Sequence, residues 1–248
     1  MITRNQQKEK YETDLRYHSD SDNLNQTFDN RYSLRNNWGL YFELIKFKEM
    51  VKLLNKSKVR LKNKKILDLG CHRGFTSNLL AQLKGSSENI YGADFINSFV
   101  EQAQEINPGV KFFQHDVYNE LPFENSYFDL VTLIYLFNAL PSQDQQEVVK
   151  NISKKIKVGG HILFFDLFES RMSRVTQRLA HLNKRYTPLP HFNDKIIKKL
   201  FPDFKIIQSK KIINLLTYRT IGFSYGLAEF LDKMLPCEYY ITLLRKIK

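Results

Sequence analysis

The chain predicts an α/β fold, with a mostly parallel sheet and helices packed on both of its faces. Three observations predict it. Between Lys65 and Asp166, short apolar runs alternate with amphipathic stretches, as strands and crossover helices do in a parallel sheet. Glycines mark several of the joints. Three aspartates, Asp68, Asp94 and Asp116, each close an apolar run, which would gather them along one edge of that sheet, the edge where open α/β sheets bind ligands. A length of 248 residues suits one large domain with a real core.

Residues 1–36 are polar with scattered aromatics such as Tyr11, Tyr17 and Phe28, and are expected to be partly mobile; residues 37–248 are expected to form a single domain. From Asn37 to Leu54, the residues Leu40, Leu44, Phe47, Val51 and Leu54 recur at helical spacing and predict an amphipathic helix. A basic connection follows, from Lys56 to Lys65. Lys65–Leu69 reads as a first strand, and Phe75–Leu83 as a helix stopped by Gly85. Asn89–Asp94 reads as a second strand. Ser98–Ile106 reads as a helix burying Phe99, Val100, Ala103 and Ile106, closed by Pro108 and Gly109. Val110–Gln114 and Phe128–Leu133 read as strands three and four. Ser142–Ile156 reads as a helix with Val148, Val149, Ile152 and Ile156 on one side. Gly159 and Gly160 are expected to turn the chain into a fifth strand, His161–Asp166. Beyond it, Asn193–Phe201 predicts a capped helix stopped by Pro202. Phe204–Gln208 and Tyr239–Leu244 predict two more strands, with a helix carrying Phe223, Leu227, Phe230, Leu231 and Met234 between them.

Charge is unevenly spread. The formal net charge is +12, yet residues 150–248 hold 20 Lys/Arg against 7 Asp/Glu, so the excess lies in the last 99 residues. That asymmetry points to an anionic partner: a phosphorylated small molecule, a nucleic acid or an acidic membrane surface. No apolar run reaches the roughly 20 residues of a membrane span, so membrane contact, if any, would be peripheral. Cys71 and Cys237 are too few for a disulfide framework or a zinc site, and no histidine spacing suggests a metal. A cytoplasmic location is expected.

The chemistry-bearing segment runs Ile66-Leu67-Asp68-Leu69-Gly70-Cys71-His72-Arg73-Gly74. A strand ends, a tight turn follows and a helix begins. Gly70 and Gly74 let backbone approach a ligand without a Cβ in the way. An acid at Asp68 does not suit a pyrophosphate; it suits a cationic or hydrogen-bond-donating group. Asp94, 20 positions after Gly74, is placed to accept both hydroxyls of a ribose.

The ordered set DLGCHRG, YGADF, HDVYNELPFENSYFDLV and KVGGHILFFD, spanning Lys64 to Asp166, resembles the class I S-adenosylmethionine-dependent methyltransferases, of the type 11-like kind. The resemblance implies a Rossmann-like seven-stranded sheet whose last strand is antiparallel. It implies S-adenosylmethionine as cofactor and S-adenosylhomocysteine as product. Asp68, Gly70, Cys71, His72 and Gly74 would form the loop under the methionine moiety. Asp94 would take the ribose, with Phe95 beside the adenine; Asp116 and Val117 would meet the adenine edge; Ile134 would line the methionine side. One departure stands out: the family usually has glycine where His72 lies, and a side chain there would need positive φ. The segments LFPDF and MLPCEYY, with Arg31-Tyr32 and Arg35 to Trp38, are similar to methyltransferases associated with polysaccharide biosynthesis.

Methyl transfer from a sulfonium is an in-line displacement, served chiefly by holding the partners in register. A base is needed only where the acceptor must lose a proton; the candidates are His191, Asp166, Asn138 and Tyr135. A basic insertion, residues 168–200, would lie over the substrate, with Arg171, Arg174, Arg178 and Arg185 as candidate anion ligands and Arg35 and Trp38 as further substrate contacts. The expected function is methylation, favoured on oxygen, of an anionic small molecule or glycan precursor. An RNA methyltransferase and a non-catalytic binding protein on the same scaffold stay open as alternatives.

Overall fold

The structure is a computed structural model that describes residues 36–169, 190–214, 224–235 and 237–248. Seven strands form one sheet: β1 (Ile66–Leu69), β2 (Ile90–Asp94), β3 (Lys111–Gln114), β4 (Phe128–Ile134), β5 (Ile156–Leu167), β6 (Phe204–Asn214) and β7 (Cys237–Lys246). Their order is β3-β2-β1-β4-β5-β7-β6. The first five pair in parallel, and β7 runs antiparallel between β5 and β6. Among the described residues six α-helices accompany them: α1 (Asn37–Lys56), α2 (Phe75–Lys84), α3 (Asn97–Ile106), α4 (Gln145–Lys155), α5 (Asp194–Leu200) and α6 (Tyr225–Met234). The α/β class, the parallel half and the antiparallel seventh strand all match the sequence reading.

The strands are nearly continuous apolar runs because both faces are covered, and successive side chains alternate between two cores. On one face Leu67, Val131, Leu133, Ile162 and Phe164 pack against Val148, Val149 and Ile152 of α4 and Ile197 and Leu200 of α5. On the other, Ile66, Leu130, Ile134, Leu163 and Phe165 pack against Trp38, Phe42, Met50 and Leu53 of α1 and Leu80 of α2. Each large apolar side chain so enclosed contributes about 1.5–3 kcal/mol. Asn36, Asn193 and Ser224 cap α1, α5 and α6 by accepting the N–H of Gly39, Ile196 and Leu227.

Three sequence expectations are corrected. The buried stripe of α1 is Trp38, Tyr41, Phe42, Lys46, Glu49, Met50 and Leu53 with Leu54, whereas Leu44 is 52% exposed. The helix instead turns its bulkier residues Trp38, Tyr41, Phe42 and Met50 onto the sheet, and Lys46 and Glu49 are buried on the same stripe with charged partners. Ile106 is 54% exposed, because α3 ends there and the following Asn107 turns inward instead. β5 begins at Ile156, not His161: its pairing with β4 slips between Phe128 and Leu130, and Gly159 (φ +83°) takes the bulge. The expected helix between the last two strands is present as α6, in which Leu227, Phe230 and Met234 face outward and Ala228 is buried. The expected N-terminal segment and most of the basic insertion lie outside the described residues.

Candidate active site

The carboxyl ends of β1, β2 and β3 lie side by side, and the three aspartates sit there together. Asp68 is the third residue of β1, Asp94 the last of β2, and Asp116 follows β3 by two residues. Between β1 and α2 the chain makes a tight loop. Gly70 and Gly74 adopt φ of +76° and +77°, and Gly74 forms the start of α2 in that left-handed conformation. A Cβ on Gly74 would come within 2.8 Å of Asn107 Nδ2 and 3.0 Å of the Phe112 ring. The N–H groups of Gly70 and Cys71 both donate to the Ala93 carbonyl, at 2.8 and 3.0 Å, tying the loop to β2.

His72 also has positive φ, +49°. Its N–H donates to Asp94 Oδ2 at 2.8 Å. Its ring packs against Phe99 of α3, centroids 3.9 Å apart, and the Arg73 guanidinium lies 5.6 Å from the same ring. The imidazole is thus engaged with α3 at the loop's flank. Cys71 is buried, and burial pushes its thiol pKa up.

Asp68 is 1% exposed. Its oxygens accept from Ser77 Oγ of α2 (2.7 Å) and Thr132 Oγ1 of β4 (2.6 Å). Burial pushes its pKa up, while the two hydroxyls and the charge of Lys46 pull the other way. The carboxylate therefore links β1, α2 and β4 beneath the loop. Asp94 accepts from two backbone N–H groups, His72 on Oδ2 and Ile96 on Oδ1 (3.0 Å), and burial raises it as well. Each of its oxygens keeps a lone pair for a further donor. Asp116 Oδ1 accepts from the Tyr118 N–H at 3.1 Å, which shapes the turn after β3 with Val117 inside it. Phe95 is half-buried, and its carbonyl accepts from Gln114 Nε2.

At the ends of β4 and β5 the remaining candidates separate. Ile134 is buried. Tyr135 has φ +55° and packs among Phe42, Phe165 and Tyr239, with centroids 5.7, 5.1 and 5.8 Å away. Asp166 is fully buried. It accepts the N–H of Asn138 (3.0 Å) and of Leu167 (2.8 Å), and burial pushes its pKa up to about 8. It fastens the short turn Phe137–Ala139 to the end of β5. Trp38 is buried against Phe42 at 5.8 Å. His191 is half-buried beside Phe192, which bridges Phe168 and marks where the insertion rejoins the rim. Arg35, Arg171, Arg174, Arg178 and Arg185 lie outside the described residues.

Sequence reading missed four contributors. Ser77 and Thr132 hold Asp68; a threonine within the apolar run LVTLI, in register with Asp68, was the signal. His115 is buried beside Asp116, with its imidazole pKa lowered by burial and its Nε2 without a hydrogen-bond partner. Lys46 of α1 is buried on the Asp68 face. No cluster of three or more metal-ligating side chains occurs among the described residues, and no described helix is long and apolar enough to cross a membrane.

A left-handed glycine loop, a buried acid under it and a second acid with open lone pairs beside it fit a zwitterionic nucleoside with ribose hydroxyls. Residues 66–160 match a family model described as a methyltransferase domain. The chain is 30% identical over 171 residues to a tRNA N(3)-methylcytidine methyltransferase of Drosophila melanogaster, covering 65% of this chain and 50% of that one. It is 28% identical over 148 residues to demethylmenaquinone methyltransferase of Lactococcus lactis, covering 58% of this chain and 56% of that one. The chain thus spans about half the length of these curated relatives. Its fold is shared by magnesium protoporphyrin IX methyltransferase of Synechocystis, solved with bound S-adenosylhomocysteine: TM-score 0.64, 13% identity, 96% of this chain and 94% of that one. Residues 66–160 are a methyltransferase domain, set in the sheet of the class I S-adenosylmethionine-dependent methyltransferases.

Proposed function

We propose that the protein transfers the methyl group of S-adenosylmethionine to an anionic small molecule or glycan precursor, on oxygen. The observation that carries the methyltransferase part is the convergence of Asp68, the Gly70–Gly74 loop and Asp94 at one rim. When bound, the cofactor supplies an electrophilic methyl on a sulfonium. Asp94 would accept the ribose hydroxyls, and Asp68 would present negative potential to the amino group. Gly70, Cys71, His72 and Gly74 would supply backbone against the methionine chain, with Ile134 at its side. Phe95, Asp116 and Val117 would surround the adenine.

The acceptor would arrive past the ends of β4 and β5. Asp166 is a positioning residue in this reading: its lone pairs face backbone N–H groups, and a carboxyl with pKa about 8 is mostly protonated at pH 7. In-line approach supplies most of the acceleration. His191, on the strand of chain that rejoins the rim, is the remaining candidate base for a hydroxyl acceptor. The anionic class is supported by the insertion, which leaves the rim after Glu169 and returns at Pro190 with Arg171, Arg174, Arg178, Lys184 and Arg185 and no acidic residue between.

RNA is the second reading. It is favoured by the basic last 99 residues and by the likeness to a tRNA methyltransferase. Incubation with radiolabelled cofactor, separately with phosphorylated sugars, nucleotide-linked sugars and bulk tRNA, tests both. Label in a sugar fraction supports the first reading. Label in tRNA alone, with affinity falling steeply as salt rises, overturns it.

A further inference from the structure

Large apolar side chains stand exposed on one side of α6. Leu227, Phe230 and Met234 are 45%, 56% and 67% exposed, and steps of three and four residues place them on one face of the helix. The opposite face holds the helix to the protein. Ala228 is buried in the cluster that contains Ile212 and Ile213 of β6. The Tyr225 ring lies 5.9 Å from Tyr41 of α1, whose hydroxyl donates to Asp232 at 2.7 Å. Other exposed large apolar residues, such as Leu44, Ile106 and Val158, stand singly along the chain, as is ordinary for a protein surface. Three within two turns of one helix make a patch, and patches mark contact sites.

The patch lies at the rim that carries the cofactor loop. α6 ends at Met234, and β7 starts at Cys237, opposite Asn214 at the end of β6 and two residues before Tyr239, which pairs with Leu167 at the end of β5. This end of the sheet is rich in cations. Residues 204–228, which form β6 and lead into α6, hold Lys205, Lys210, Lys211 and Arg219 and no acid. Lys210 and Lys211 are exposed; the first also pairs with Glu49 at 2.8 Å, and Nζ of the second sits 4.2 Å from the Phe168 ring, at the root of the basic insertion. Against these stand Glu229, Asp232 and Glu238, of which Asp232 is engaged by Tyr41.

An apolar helix face edged by cations matches an anionic lipid surface, which takes the apolar side chains beneath its head groups and the lysines between them. RNA offers phosphates and bases but no apolar layer for leucine and methionine side chains. A second copy would cover the patch, yet a two-fold contact would bring together the same basic stretches of two chains, each of net charge +12. We infer that α6 docks the protein on an anionic lipid bilayer through Leu227, Phe230 and Met234, with the lysines of β6 toward the head groups. This docking does not depend on which acceptor is methylated.

Co-sedimentation of the full chain with vesicles tests it. The wild type should pellet with vesicles of phosphatidylcholine mixed with phosphatidylglycerol and stay in solution with phosphatidylcholine alone. Phe230→Ser/Met234→Ser should weaken the binding at least about tenfold, with an unchanged thermal melt, because both side chains are exposed. The one tryptophan of the chain, Trp38, is buried, so Phe230→Trp supplies a second reading: its emission should shift to the blue when mixed vesicles are added. Were the double variant unfolded, that emission decides alone. Failure of the wild type to pellet, equal pelleting with both kinds of vesicle, equal binding by the double variant, or an unshifted emission overturns the inference. So does a wild-type dimer that the double variant disperses on light scattering, which assigns the patch to a second copy.

Discussion

Position 72 carries an imidazole on backbone that favours glycine. The φ of +49° costs a non-glycine residue about 1–2 kcal/mol, and the contact with Phe99 together with the N–H bond to Asp94 offsets part of it. Two variants separate these effects. His72→Gly should unfold within about 1 kcal/mol of the wild type, since relief of strain and loss of the ring contact oppose each other. His72→Val, β-branched at positive φ, should lose about 1–3 kcal/mol. Urea titration reads both. That a side chain here would need positive φ was legible from the motif; that its ring would turn onto α3 was not, because the partner lies 27 positions away in a different helix.

Asp166 makes a second prediction at this scale. Its carboxyl is raised from 3.8 to about 8 in the folded chain. Between those values the folded state holds a proton that the unfolded state has released. Its contribution to stability is therefore full below about pH 4, falls as pH rises toward 8 and is flat beyond. Urea midpoints of Asp166→Asn, compared with the wild type between pH 5 and pH 8, should show a shallower decline. An unchanged slope would mean that the carboxyl is ionised when folded. The acid at the strand end was visible in the sequence; its burial under the Phe137–Ala139 turn depended on chain that the motif does not specify.

Helix α1 shows what apolar periodicity can and cannot tell. Its existence was legible from residue spacing, and its facing was not. The spacing of Leu40, Leu44 and Phe47 sets one facing, whereas the packed stripe runs through Trp38, Tyr41, Phe42 and Met50 and takes in Lys46 and Glu49. Glu49 pairs with Lys52 at 3.3 Å and with Lys210 of β6 at 2.8 Å. Burial pushes its pKa up, but the hydrogen bonds and charges of Lys210 and Lys52 outweigh that and leave it lowered from 4.5. Its contribution is present above pH 4.5 and lost as pH falls through the lower folded value. Glu49→Gln should cost about 1 kcal/mol at pH 7, because both lysines are half exposed, and the difference should vanish in acid. The loop before α2 allows a sterner test. Gly74→Ala places a Cβ 2.8 Å from Asn107 Nδ2 at φ +77°, and should lower stability by about 1–3 kcal/mol on a thermal melt.

At the scale of the whole molecule, the parallel half of the sheet was legible because its strands are apolar runs and the first three, short ones end within two residues of a glycine or an aspartate. β6 and β7 were legible as strands but shorter than they are: β7 lies between β5 and β6, and its full ten residues follow from having a partner on each side. What the pattern fixed most firmly is the rim, since parallel strands in register must bring their carboxyl ends together. In the function we propose, the acceptor would be chosen by the chain beyond β5, where composition is basic but carries no spacing that names a ligand.

The central claim is that this rim binds S-adenosylmethionine and its product through Asp94 beside the Gly70–Gly74 loop. Titration of S-adenosylhomocysteine into the wild type and into Asp94→Ala by isothermal calorimetry tests it most directly. The account predicts one site per chain in the wild type and at least about tenfold weaker binding in the variant. Equal affinity in the two proteins, or no binding to either, would contradict it.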